Sequence, residues 1–324
     1  MRFSVLLAAV LGLNMLPVAA QPAPSAAQWP ARPVRWIVPF AAGGTADATA
    51  RGIAQKLSDR WGQQVLVDNK PGANTLIAAS DAMRAPPDGY TLFQPINATL
   101  TLNQFTFSKL PYDALKDFTP IGVIASVPLI FVANDTLPAK NMQELIALAK
   151  SKPGTVTIGS GNVGIQLGVE RFVRDAGVQI SYVPYKSGAD VTKALLSGEI
   201  QVGLDGVPAY PPFLKSGKLR ALATNSAKRI PSLPDVPTLA EIGLKNSETP
   251  VWHGLVAPAG LPPEIQKKIA ADLQVVLAMA DLRERMSALG LEATWLGADD
   301  FTRLIKSESA TMGPLVKELG IKMD

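Results

Sequence analysis

The sequence predicts an α/β protein of two lobes facing each other across a cleft, and three observations carry that prediction. From Trp36 to Phe93 short apolar runs alternate with helical stretches in the order strand, helix, strand, helix, strand, the pattern of a parallel sheet with crossover helices. The same alternation returns between Asn141 and Ala223. Between the two, Ile121 to Asp135 is an apolar run interrupted by Pro128. It is too long for one ordinary strand, so it reads as a connection passing from a first lobe into a second.

The opening unit runs from Trp36 to Arg51. Trp36 to Val38 is a strand that Pro39 stops, because proline has no N–H for a ladder. Ala41, Ala42, Gly43 and Gly44 form a tight turn of small residues, and Thr45 or Asp47 is placed to cap the helix that follows. That helix carries Ala50, Ile53, Ala54, Leu57 and Trp61 on one face, with Gly62 just past its end. A glycine turn leading into a helix N-terminus is an anion site, since free amides and the positive end of the helix dipole converge there. An ordinary strand-to-helix connection has the same outline. As a cap Asp47 adds only stability. As a cleft group it accepts hydrogen bonds and repels a second carboxylate, so it selects ligands with an amino or hydroxyl donor. Because Thr45 is available as the cap, the cleft role is preferred.

Val65 to Val67 is the next strand, Asn69 to Asn74 a turn holding Pro71 and Gly72, Leu76 to Arg84 a helix, and Tyr90 to Phe93 a strand after the Asp88-Gly89 turn. All three strands end at one edge, which gathers the loops Ala42 to Asp47, Ala73 to Thr75 and Asn97 to Thr99. Ligands bind at the carboxyl ends of strands in open parallel sheets. In the second lobe the spacing predicts helix Asn141 to Lys150, strand Thr155 to Ile158, helix Gln166 to Asp175, strand Ile180 to Val183, helix Asp190 to Ser197, and strands Val202 to Leu204 and Leu219 to Ala223. A proline-rich loop beyond Ser226, a short helix and a return strand within VWHGLVAPAG follow. Helices Pro263 to Met279, Ala280 to Leu289 and Ala298 to Lys317 then pack back on the first lobe. The expected division is 34–125 with 248–324 for lobe 1 and 126–247 for lobe 2, after a leader at 1–20 and a tether at 21–33.

MRFSVLLAAVLGLNMLPVAA has the form of a cleavable secretory signal: Arg2, an apolar run from Phe3 to Leu13, and small residues up to Ala20. The run is too short for a membrane span, and no cysteine stands at the cleavage point to take a lipid. Without any cysteine the fold has no disulfides and relies on its core. A net charge of +4 over 324 residues, dispersed along the chain, gives no nucleic-acid footprint. Lys267-Lys268 reads as a solvated helix face without function. GSGNVG, Gly159 to Gly164, is a literal GxGxxG, but the next strand ends Val183-Pro184-Tyr185-Lys186 with no carboxylate for a ribose, so a dinucleotide site ranks low. The one histidine, His253, lies in an apolar strand and reads as structural or cleft-lining. With no cysteine and no GxSxG there is no nucleophile triad and no histidine-rich metal site, and no loop is acidic enough for calcium. Asp299-Asp300 looks like the cap of the last helix. No catalytic residue, metal or cofactor is expected.

Several long motifs then stand in order: IVPFAAGGTAD with Arg51, VDNKPGA, PPDGYTL, LPYD followed by KDFTPIGVI, VPYKSGAD, SGKLRALATNSAKRIPSLPDVPTLAEIGL and WHGLVAPAGLP. From about Trp36 to Leu319 the chain resembles the Bug family of periplasmic solute-binding proteins, the extracytoplasmic receptors of tripartite tricarboxylate transporters. The resemblance implies a type II periplasmic binding protein fold, two lobes with open sheets around a ligand cleft. It also implies a periplasmic monomer that is not an enzyme and delivers a small, usually carboxylate-bearing solute to membrane transporter subunits. Carried over position by position, it places ligand contacts at Phe40, Ala42, Gly43, Gly44, Thr45, Asp47, Asn74, Thr75, Asn97, Thr99, Ser160, Asn162, Gln166, Tyr185, Ser187 and Asp205. Two departures sit at the cleft: Asn74-Thr75 where the family usually has Gly-Gly, and Ile165-Gln166 where it often has Ser-His, one residue longer. The second implies that one ligand end is recognised differently, because a glutamine amide both donates and accepts. An organic monoacid or diacid held end to end is the expected occupant. Sugars and phosphate esters rank lower, since neither stacked aromatics nor arginine clamps stand near these loops. A sensor presenting its solute to a membrane signalling receptor is the alternative; a secreted enzyme or dinucleotide-binding protein ranks below both.

Overall fold

A computed structural model describes residues 29–245, 247–249 and 251–323; the leader at 1–20 and the tether up to residue 28 lie outside the described residues. Strand β1 (Val34–Val38) seeds the first sheet. Four of its five residues are buried, because parallel neighbours and crossover helices cover both faces and leave no polar alternation. The chain leaves through α1 (Thr45–Trp61), returns as β2 (Val65–Asn69), passes a tight turn of positive-φ residues at Ala73–Thr75 into α2 (Leu76–Met83), and returns as β3 (Thr91–Phe93). Both β2 and β3 pair parallel with β1, Val34 opposite Val65 and Arg35 opposite Thr91. A helical stretch at Ala98–Leu102 continues into α3 (Asn103–Thr106), and β4 (Phe118–Ser126) then leads to β5 (Leu129–Asn134).

The second half follows as α4 (Met142–Ser151), β6 (Thr157–Ser160), α5 (Val163–Ala176), β7 (Ser181–Pro184), α6 (Gly188–Ser197), β8 (Val202–Gly206), α7 (Pro211–Lys215) and β9 (Leu219–Thr224). The chain closes with β10 (Trp252–Pro258), α8 (Pro263–Leu277), α9 (Ala280–Ala288), β11 (Glu292–Gly297) and α10 (Ala298–Glu318). Among the described residues the strands form two sheets, ordered β11-β4-β10-β3-β1-β2 and β7-β6-β8-β5-β9. Each holds three parallel strands in which the first lies between the second and third. Each is extended by an antiparallel strand that arrives from the other sheet, β10 beside β3 and β5 beside β8. The chain therefore crosses twice. The Ile121–Asp135 run divides where Pro128 lacks an N–H, leaving β4 in one sheet and β5 in the other. The crossings bind each other: Val127 N donates to Val251 O at 2.8 Å, and Asn225 N to Leu129 O at 2.8 Å.

Helices α8 and α9 pack on α1 and the first sheet, and α10 packs on β4 and β11 of that sheet. One fixed point is Phe301 of α10 against Gly254 of β10, where any Cβ would lie 2.4 Å from Phe301 Cζ. Another joins α1 to α8: Asp272, 5% exposed, accepts from Trp61 Nε1 at 2.8 Å, Lys268 Nζ at 3.0 Å and Arg60 Nε. Lys268 is thus half-buried and paired, so only Lys267 of that basic pair is a solvated residue. No helix among the described residues is long and apolar enough to cross a membrane.

Several boundaries differ from the sequence reading for identifiable reasons. Helix α5 begins at Val163 because the Asn162 side chain accepts from Ile165 N, and α6 begins at Gly188 because Ser187 accepts from Asp190 N. Asp299 and Asp300 are not the cap of α10. Gly297 holds that position without a side-chain bond, and both acids lie in the first turn, where they meet the positive end of the helix dipole. Helix α7 escapes the sequence because Pro211 and Pro212 read as breakers, although proline is tolerated in a first helical turn. Strand β11 is a half-buried edge with no alternation to detect.

Candidate functional site

The carboxyl ends of the parallel strands in each sheet carry the loops that the sequence singles out. In the first lobe, Ala42, Gly43 and Gly44 are exposed and Phe40 is half-buried, its carbonyl accepting from Asn69 Nδ2 at 2.9 Å. Thr45 does not cap α1: it is the first helical residue, and Gly44 occupies the cap position with no side-chain bond. Asp47 instead reaches back to Gly43 N at 2.9 Å, while Arg51 Nε donates to its two oxygens at 2.9 and 3.0 Å and Asn69 Nδ2 donates at 3.0 Å. Burial alone would raise its pKa, but the bonds from Arg51, Gly43 and Asn69 outweigh that and hold it below the ordinary value. One amide of the glycine turn is therefore taken by Asp47, and any ligand donor has to compete with groups already in place. Asp47→Ala is expected to destabilise the ligand-free chain by about 2 kcal/mol, the scale of charge-assisted bonds, read as a lower melting temperature. A changed order of preferred ligands with the melting temperature unmoved would instead assign Asp47 to the cleft.

The second lobe explains its GxGxxG by packing. A Cβ on Gly159 would lie 2.7 Å from the Tyr185 ring, one on Gly161 2.6 Å from Gly188 N, and one on Gly164 3.2 Å from Asn162 Oδ1. No nucleotide is needed to account for three glycines. Gly161 and Gly188 close over Asp205 at the end of β8: a Cβ on Gly188 would meet Asp205 Oδ2 at 2.5 Å, and one on Gly161 would meet it at 3.1 Å. Asp205 Oδ1 accepts from Gly206 N at 2.7 Å, Oδ2 is buried without a partner, and burial raises the carboxyl to about 6. Asn162 and Ser187 spend their side chains on the caps of α5 and α6. Ser160 is fully buried with its Oγ 2.8 Å from Tyr182 Oη, a hydroxyl that burial pushes up to about 12. Gln166 bonds Glu170 one turn further along α5, and burial holds the Glu170 carboxyl above its ordinary value. Tyr185 donates its hydroxyl to Glu199 at 2.7 Å, at the opposite end of the strands.

The two sets of loops approach each other. Thr45 Oγ1 lies 3.5 Å from where a Cβ on Gly206 would be, and both side-chain ends of Asn97 lie 3.5 Å from the corresponding point on Gly164. Arg174 of α5 pairs with Glu318 of α10 at 2.9 Å, and Val163 and Leu167 share an apolar cluster with Ile96, Leu102 and Val316. Asn74, Thr75 and Thr99 meet in one polar network with Asn103 and Tyr112, neither of them among the ligand contacts expected from the sequence. His253 is structural: it is buried with Nδ1 3.0 Å from Thr49 Oγ1, and burial lowers its pKa to about 3.

Known proteins share this architecture. The model of the tripartite tricarboxylate transporter family receptor matches residues 49–321. Protein BugT of Bordetella pertussis (strain Tohama I) is 32% identical over 320 residues, 98% of each chain. The solved structure of Rpa4515 of R. palustris with adipate is 34% identical, covers 91% of this chain and 99% of its own, and superposes with a TM-score of 0.85. MatC from Rhodopseudomonas palustris with bound malate is 29% identical over 89% of this chain and 100% of its own, with a TM-score of 0.79.

Proposed function

The chain belongs to the tripartite tricarboxylate transporter receptor family, and from that premise we propose that it captures a small organic acid between its lobes in the periplasm and hands it to the membrane subunits of such a transporter. The observation that carries the reading is the approach of the first glycine turn to the other sheet: Thr45 Oγ1, beside Gly43-Gly44, lies 3.5 Å from the Cβ position of Gly206, which adjoins the Asp205 that Gly161 and Gly188 close over. Small residues there leave backbone amides as recognition groups, which suit a carboxylate and do not depend on side-chain identity. Related structures holding adipate and malate support a carboxylate ligand. Gln166 and Asp205 fit an acid whose second end carries a hydroxyl, an amide or a protonated carboxyl, since an ionised Asp205 repels a second carboxylate.

Among these residues no nucleophile stands beside a general base, so binding is the whole of the proposed role. Delivery is tested with membrane vesicles carrying the large and small transporter subunits and labelled malate or adipate. Uptake should depend on the added chain. Uptake indifferent to the chain, with a co-expressed sensor kinase responding to it, would instead make it a signalling receptor.

A further inference from the structure

We propose that Asn103 is a positioning residue that sets the ligand loop 73–75 in its binding shape before any ligand arrives; this rests on reading the cleft as the solute site. Ala73, Asn74 and Thr75 have φ of 45°, 44° and 78°, a left-handed run of three residues that all carry a Cβ. Such residues crowd their own carbonyls there, and the β-branched Thr75 does so most. A strained run persists only where its surroundings over-determine it.

Asn103 supplies that constraint from the neighbouring loop. It is wholly buried, its Oδ1 accepts from Asn74 Nδ2 at 2.7 Å, and its Nδ2 donates to Asn74 O at 3.0 Å, gripping the backbone and side chain of the same residue. Nδ2 also reaches Thr75 Oγ1 at 3.3 Å and Tyr112 Oη at 3.0 Å. Tyr112 Oη donates to Thr99 O at 2.7 Å, and Thr99 Oγ1 donates to Thr75 Oγ1 at 2.9 Å, so the grip closes on itself through the adjacent cleft loop. Only an amide of this length both donates and accepts in that way; aspartate has the shape without the donor hydrogens. A loop already ordered has less freedom to lose when a ligand docks, so the network acts on affinity through the loop rather than by touching the ligand.

The test uses the full mature chain. Amide hydrogen exchange without ligand is followed at residues 72–76 and in α8, which is remote from this loop, for the parent, Asn103→Ala and Asn103→Asp. Asn103→Ala should speed exchange at the loop about tenfold and leave α8 unchanged. Affinity for malate and adipate, read by calorimetry, should fall about tenfold in Asn103→Ala, with the loss carried by a less favourable binding entropy, because the loop is then ordered only when the acid docks. A merely structural Asn103 predicts affinity and binding entropy at the parent values in the folded variant. If Asn103→Ala also raises exchange in α8, Asn103→Asp is read in its place with the same expectation. Loop exchange unchanged from the parent overturns the proposal whether or not either acid binds; failure of both acids to bind the parent counts against the ligand reading, and exchange alone then decides the role of Asn103.

Discussion

Gly161→Ala is expected to abolish the response to organic acids while both sheets stay folded. The added Cβ would lie 2.6 Å from Gly188 N and 2.7 Å from Ser187 C, and backbone atoms cannot rotate away as a flexible side chain can. The β6–α5 turn must therefore separate from the start of α6. This uncovers Asp205 and loosens the bond from Tyr185 N to Ser160 O, now 3.1 Å. Overpacking of this kind costs about 1–3 kcal/mol, within the reserve of a large domain. The core of the second sheet lies elsewhere, around Phe131 and Phe172, whose rings stand 4.9 Å apart. Circular dichroism should stay at the parent value while the ligand-induced melting shift disappears. A full shift in the variant would remove the glycine turns from the site.

The largest stability effect is expected at Asp272→Ala. Removing this carboxylate leaves Arg60 and Lys268 without their partner and the Trp61 indole without its acceptor at the α1–α8 seam. Arg60 and Lys268 are partly exposed and regain water, so the loss of these bonds costs about 3 kcal/mol, less than breaking a fully buried pair. Burial pushes the Asp272 pKa up, but the bonds from Arg60, Trp61 and Lys268 outweigh burial and bring it below its ordinary value of 3.8. The folded chain therefore binds fewer protons than the unfolded chain in the window between the two values. The stabilisation is complete above 3.8 and is lost as pH falls through the folded value. Urea unfolding at pH 7 should show the loss, and Asp272→Asn should have a flatter acid limb than the parent. A variant as stable as the parent would mean that the three donors find other partners.

Much of the scaffold is legible in the residues because its causes are local. Trp36–Val38, the Gly43-Gly44 turn and the apolar face of α1 follow from period and turn chemistry, and Pro128 marks the crossing because both flanking strands are buried. Placing loops 42–47, 73–75 and 97–99 at one edge needs only the parallel order of β1, β2 and β3. The finer structure of the candidate site depends on partners distant in sequence. Asn69 lies 22 residues from Asp47, yet it helps turn that carboxylate from a possible ligand acceptor into an internal brace. Asn103 lies 29 residues from Asn74 inside a stretch that is buried nearly all round, so neither helical period nor polarity betrays it. The glycines at 159, 161 and 164 match a nucleotide motif in sequence, and only their neighbours show that close packing requires them.

The most direct measurement of the central claim is a thermal-shift titration of the ligand-stripped mature chain against organic acids, amino acids, sugars and phosphate esters. Binding between the lobes predicts that at least one small organic acid raises stability by roughly 2.7 kcal/mol at a hundred times its dissociation constant, without being chemically altered. Stabilisation by sugars alone with every acid silent, or turnover of the bound acid, would contradict it.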